Sequence, residues 1–154
     1  MKYSLNLVNQ QGKRTRQGIL FHTSKMKVSD IKKRMSKLPK QKIFIQIGAK
    51  PLFVVTNEFF VNDYIELAGG INIFKEAKSG LISREEVLKR NPDVILIATM
   101  GISGEDERKT WHKYKMINAV KHNRIHIVDP DSICSPTPVS FAEYLDEIAR
   151  IIQR

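Results

Sequence analysis

Residues 43–97 read IFIQIGAKPLFVVTNEFFVNDYIELAGGINIFKEAKSGLISREEVLKRNPDVILI. The spacing of apolar residues changes along this stretch, and that change decides the fold class. IFIQI (43–47) is a buried run of strand length, and LFVV (52–55) is a shorter one beyond Lys50-Pro51. From about Glu58 to Ala68 the period becomes helical. Phe60, Tyr64, Leu67 and Ala68 form the inner stripe, and Gly69-Gly70 stops it. Ser83 opens a second helix. Ser83 and Glu86 have the S-x-x-E spacing of a capping box, in which each side chain satisfies a free backbone N–H. Asn91-Pro92 closes that helix, because a proline pushes the residue before it out of the helical region. VILIA (94–98) is apolar throughout, as strands inside a parallel sheet are.

Working outward, Val28, Ile31, Met35 and Leu38 recur at helical spacing over about Lys25–Leu38, and Pro39 ends the run. Before it, KYSLNLV (2–8) alternates like a strand, and QGILFHT (17–23) reads as a second one across a turn-like NQQGKRTRQG. On the other side, residues 105–120 read as helix broken near Lys115, and RIHIV (124–128) as strand. Thr137 caps a last helix with Pro138 in its first position, and Phe141, Leu145, Ile148 and Ile152 line one face. Strands alternating with helices predict a three-layer α/β domain with a mostly parallel sheet of four or five strands. Ligands of such sheets gather at the carboxyl ends of the strands. Here those ends are the Gly-, Pro-, Ser- and Asp-rich segments 48–53, 99–104 and 129–137.

A chain of 154 residues with 42% hydrophobic content fits one domain with a real core. No apolar run approaches the ~20 residues that span a bilayer. The first 18 residues lack the apolar middle and small-residue cleavage site of a secretory signal, so these residues alone predict a cytoplasmic chain. The single cysteine, Cys134, allows no internal disulfide, and no histidine or acid is placed by sequence to activate it. His122 and His126 are four apart, but they flank the entry to a strand without a matching Cys or acidic cluster, so no metal is expected. There is no P-loop, GxSxG or HExxH, and GISG (101–104) is too short for a dinucleotide fingerprint. Neither an enzyme nor a cofactor is indicated.

The net charge of +10 is unevenly placed. Residues 1–50 hold thirteen Lys and Arg against Asp30 alone, a charge of +12, which leaves −2 for the remainder. Such asymmetry marks nucleic-acid or anionic-membrane surfaces. No aromatic residue interleaves with the basic cluster from Lys25 to Lys42, which favours a solvated helix face over a nucleic-acid surface.

ELAGGINIF (66–74), followed by ISREEVLKRNPDVILI (82–97), resembles the C-terminal lobe of the substrate-binding proteins of cobalamin, haem and ferric-siderophore ABC importers. The resemblance runs from about Val28 to Ile152, and VSDIKKRMSKLPKQK (28–42) is similar to the last turns of the family's interlobe helix. It implies a single lobe of a periplasmic-binding-protein-like fold over residues 25–154. Residues 25–40 are then the remnant of the interlobe helix, and 1–24 a basic N-terminal segment of uncertain structure. The implied function is that of the substrate-binding component of an importer, or of its C-terminal lobe only, working passively and outside the cytoplasm. The implied partners are the ABC permease subunits and an iron-siderophore, haem or corrinoid ligand.

The resemblance also carries residue roles. Glu85, with Glu86 as the fallback, matches the surface glutamate that docks into an arginine pocket on the permease. Phe53 matches an aromatic that touches the macrocycle, and Asp131 a polar cleft residue. Met100 falls in the ligand wall as well, and Ser135 stands where a cobalamin binder carries arginine. The residues by themselves leave other readings open: two acids offsetting the positive end of a helix, a core phenylalanine, and a turn aspartate after Pro130. Val139 replaces an arginine common after the final proline, and no tryptophan precedes SREE, where Lys78 and Ser79 stand. Both departures count against a corrinoid. Trp111 reads as a helix residue packing onto the sheet.

One lobe offers one wall, about half of the ~70–90% of surface that a ligand gives up in a pocket. Weak binding by the lone chain is therefore expected, and an exposed cleft face makes a homodimer a second expectation. The alternatives are a cytoplasmic interaction or nucleic-acid-binding domain that reuses the lobe, or a truncated gene product without function.

Overall fold

In the computed structural model the described residues are 16–99 and 104–154. Helix α1 (Arg16–Ser36) leads into β1 (Gln41–Ala49), β2 (Leu52–Val54), α2 (Val61–Leu67), β3 (Gly70–Asn72) and α3 (Arg84–Arg90). Then come β4 (Val94–Ile97), α4 (Gly104–His112), α5 (Asn118–Lys121), β5 (Ile125–Ile127), α6 (Pro130–Cys134) and α7 (Pro138–Gln153).

The long strand β1 organises the sheet. Ile43–Gln46 pair in parallel with Val94–Ile97 of β4, which pairs in parallel with β5 on its far side. Along its other side β1 is shared: its start pairs in parallel with β3, and its end antiparallel with β2. The sheet is therefore mostly parallel, as predicted, with one antiparallel hairpin across the cis Lys50–Pro51 bond. The outer edge of β2 is covered by residues 80–82. Val54 N–H donates to the Gly80 carbonyl (2.9 Å) and Ile82 N–H to that of Leu52 (3.2 Å). Covering that edge removes a template for unwanted strand pairing.

The pleat sends alternate side chains to opposite faces. Ile43, Ile45, Val94 and Leu96 pack with Ile31 and Met35 of α1, Tyr64 and Ile65 of α2, and Phe141, Leu145, Ile148 and Ile152 of α7. Phe44, Ile95 and Ile97 pack on the other face with Phe74, Val87, Trp111, Ile117 and Val120. Phe44 lies edge-on between Phe74 (5.8 Å) and Trp111 (5.5 Å). Helices on both faces of one sheet give the expected three layers. Among the described residues no helix is long and apolar enough to cross a membrane.

Several local expectations need correction. QGILFHT lies within α1, which begins at Arg16 and not near Lys25. A short apolar run such as ILF cannot be assigned to strand or helix by period alone. KYSLNLV lies outside the described residues. Gly69-Gly70 does more than stop α2. Gly69 takes a left-handed conformation (φ 77°), and the chain runs straight into β3, an extra strand. A Cβ at Gly69 would stand 2.9 Å from that of Met35. The segment 129–137 is not all loop, since Asp129 caps the short helix α6 with Pro130 in its first position. Only the Ser83 half of the capping box is used: the Ser83 hydroxyl accepts from Glu86 N–H, while the Glu86 carboxylate turns to Arg90. At α7 the cap is reciprocal between Thr137 and Ser140. Asn91 ends α3 in the left-handed region (φ 48°).

Candidate functional site

Because β1, β4 and β5 run parallel, their carboxyl ends share one edge of the sheet. Phe53, Asp131 and Ser135 sit on segments that leave this edge. Met100 lies outside the described residues. Phe53 is half-buried on β2, edge-on to Phe59 at 5.9 Å. Its ring lies so close over Gly80 that a Cβ there would come within 2.4 Å of it. Phe53 is thus held in the packing of the β2 margin. Phe59 and Leu81 beside it are exposed.

Asp131 is exposed in the first turn of α6, and Ser135 is exposed at its C-cap, where its N–H donates to the Asp131 carbonyl (3.0 Å). Two tyrosines fix this short helix. The Tyr64 hydroxyl donates to the Ser132 carbonyl (3.1 Å), and that of Tyr144 accepts from Asp129 N–H (2.8 Å). Burial pushes Tyr144 up to about 12, so its hydroxyl stays protonated at neutral pH. The Ser132 hydroxyl, then its N–H, holds the Asp129 carboxyl below the usual range, so the cap is ionised. Burial, with Asp131 and Asp129 nearby, pushes the Cys134 thiol up, which disfavours the nucleophilic thiolate.

The SREE turn separates its two acids. Glu86 is half-buried and accepts from Arg90 Nε at 3.0 Å, one helical turn away. Glu85 is exposed, with neither hydrogen bond nor ion pair to any described residue. Glu85 is therefore the one free to meet a partner, although Glu86 is committed through Arg90 and not through the cap.

Arg84 points inward. Its Nη2 donates to Glu107 Oε2 at 2.7 Å, and its guanidinium lies 4.6 Å from the centre of the Trp111 ring. Glu107 is 5% exposed and also accepts from Gln46 Nε2 at 2.7 Å. Gln46 Oε1 accepts from Trp111 Nε1–H at 2.7 Å, and its amide reaches the Gly48 carbonyl at 3.2 Å. The sequence reading missed Gln46, Arg84 and Glu107 altogether. One signal was there: a glutamine inside the apolar run IFIQI must find buried partners.

The basic first third is partly committed to structure. Arg34 of α1 pairs with Asp146 of α7 at 2.7 Å, and Lys42 Nζ donates to the Arg90 carbonyl at 3.2 Å. Among the described residues, no three of His, Cys, Asp and Glu come together as metal ligands would.

The family model described as Periplasmic binding protein matches residues 8–132, so the match begins within the segment that the sequence reading left outside the resemblance. The chain is 28% identical over 140 residues to the ABC transporter substrate-binding lipoprotein YvrC of Bacillus subtilis, covering 86% of this chain and 43% of that one. It is 23% identical over 119 residues to the vitamin B12-binding protein of Vibrio cholerae, covering 76% and 42%. The structure of a possible iron-binding (periplasmic solute-binding) protein from Staphylococcus epidermidis superposes with a TM-score of 0.81 at 28% identity, over 98% of this chain and 62% of that one. The chain thus spans less than half the length of these two sequence relatives. With the match extending over most of the sequence and the fold in agreement, the chain belongs to the periplasmic binding protein family, whose members are binding proteins.

Proposed function

We propose that this chain is the C-terminal lobe of the substrate-binding component of an ABC importer for an iron-siderophore, haem or cobalamin. Residues 25–154 form the lobe, and within 25–40 the last turns of α1, to Ser36, are the end of the helix that joins it to a partner lobe. Its work is passive and extracytoplasmic, and no catalytic step is assigned to it. The strand-end segments bearing Phe53, Met100, Asp131 and Ser135 form one ligand wall. Glu85 is the docking acid.

The observation that carries this reading is the state of Glu85. It is an exposed carboxylate, unpaired among the described residues, at the start of α3 in a chain of this family. A carboxylate that stays solvated until it meets a guanidinium gains a charge-assisted, bidentate contact. The test is capture of the chain by importer permeases in nanodiscs. Glu85→Ala should melt as the parent does and lose docking, and docking at parental strength would refute the role. Calorimetry with cyanocobalamin, haemin and a ferric hydroxamate should find weak binding or none. Submicromolar affinity for the isolated chain would contradict a one-walled site. Gel filtration at high concentration should show a dimer that covers the open wall, and a clean monomer removes that part of the proposal.

A further inference from the structure

We infer that Arg84 and Glu107 are positioning residues for Glu85; the inference rests on the docking reading above. Helix α3 has seven residues, too few to hold itself in register or orientation. Val87 is its one fully buried side chain, with Leu88 packed at the edge of the same cluster. The Ser83 hydroxyl caps its first turn, and Arg90 anchors its last turn on the Phe74 ring, 4.6 Å away, and on the Ile73 carbonyl.

Arg84 adds the side-chain grip in the first turn. It lies three and four residues before Val87 and Leu88, so it shares their face. Its guanidinium is pinned between Glu107 and the Trp111 ring. Successive side chains on a helix diverge by about 100°. With Arg84 fixed inward, Glu85 must therefore project sideways and out. Glu107 is itself held by Gln46 of β1, and Trp111 by the same glutamine, so the frame that sets Glu85 is the sheet itself.

The identity of the grip supports a positioning role. A buried ion pair adds little net stability over well-packed apolar groups of similar volume, yet it fixes geometry through directional bonds. A basic residue in the first turn also faces the positive end of its own helix, so Arg84 is poorly placed unless it is bound elsewhere.

The experiment compares the parent with Arg84→Met/Glu107→Leu, Glu107→Gln and Arg84→Lys. The measurements are melting, permease capture, and hydrogen exchange at the amides of Glu86 to Leu88. The double variant should melt close to the parent, dock at least tenfold more weakly, and exchange at least tenfold faster at those amides. Arg84→Lys should recover part of both. If the double variant does not fold, Glu107→Gln reads the same two quantities, since it keeps a bond to Gln46 and loses only the charge. Parental docking with parental exchange in a folded variant overturns the inference. If the parent does not dock, the functional reading fails by itself and exchange decides. Faster exchange confined to Glu86–Leu88 supports the positioning role, whereas unchanged or uniformly faster exchange sinks it.

Discussion

The two faces of the sheet are built on different principles. The face covered by α1, α2 and α7 is mostly apolar and carries no buried charge: Leu145, Ile148 and Ile152 are fully buried, one neutral amide pair, Asn62–Asn72, lies beneath α2, and the Arg34–Asp146 pair stands at the margin. The face covered by α3, α4 and α5 buries a glutamine and a glutamate among its aromatic rings. Apolar packing is non-directional and scales with area. Buried polar groups are costly unless their bonds are satisfied in one arrangement. The first face therefore supplies most of the stability, while the second spends some of it on a fixed geometry. The acid proposed to meet a partner stands on the second face.

That contrast can be broken most forcefully by emptying the apolar face. Ile148→Ala should cost about 2–5 kcal/mol in urea unfolding, through lost burial and the cavity left behind. Docking should fall only as far as the folded fraction falls. A cost below 1 kcal/mol would mean that α7 is not the main seat of stability.

On the polar face, Glu107→Leu alone should cost about 3 kcal/mol, because it strands the Arg84 guanidinium without its counter-ion. That figure is near the low end for such losses, since Arg84 keeps some exposure. Paired with Arg84→Met, most of the cost should disappear. If the two losses simply add, the network stabilises like any core, and the contrast between the faces is lost.

A smaller effect is expected at the start of α7. Thr137→Ala removes the acceptor for Ser140 N–H and should cost about 1 kcal/mol by thermal melting.

The smallest effect is the Arg34–Asp146 link between α1 and α7. Arg34's hydrogen bond holds the Asp146 carboxyl below its ordinary value, so its contribution is present at neutral pH and disappears on acidification. Asp146→Asn should cost about 0.2–1 kcal/mol at pH 7, the range for exposed pairs. The difference should shrink as pH falls below the ordinary aspartate value of about 3.9 and through the folded value. A difference that persisted at the acid end would show that Asp146 acts by packing and not by charge.

Much of this molecule was legible before any coordinates. The runs IFIQI and VILIA, the helical stripe through Tyr64 and Leu67, and the Thr137-Pro138 start are local patterns, and local sterics and periodicity suffice to read them. The capping box was legible only by half: Ser83 caps, but the Glu86 carboxylate turns to Arg90. Beyond that, β3 exists because β1 is long enough to offer Gly70–Asn72 a parallel edge, and α6 because Tyr64 and Tyr144 reach across to hold it.

By itself, then, the sequence determined the order and kind of most elements, the parallel sheet and the family likeness, because each is written in neighbouring residues. Only the tertiary structure decided what Gln46, Arg84 and Glu107 are for. They lie 23 to 61 residues apart along the chain, and a buried charge declares its partner only when the fold brings the two within bonding distance.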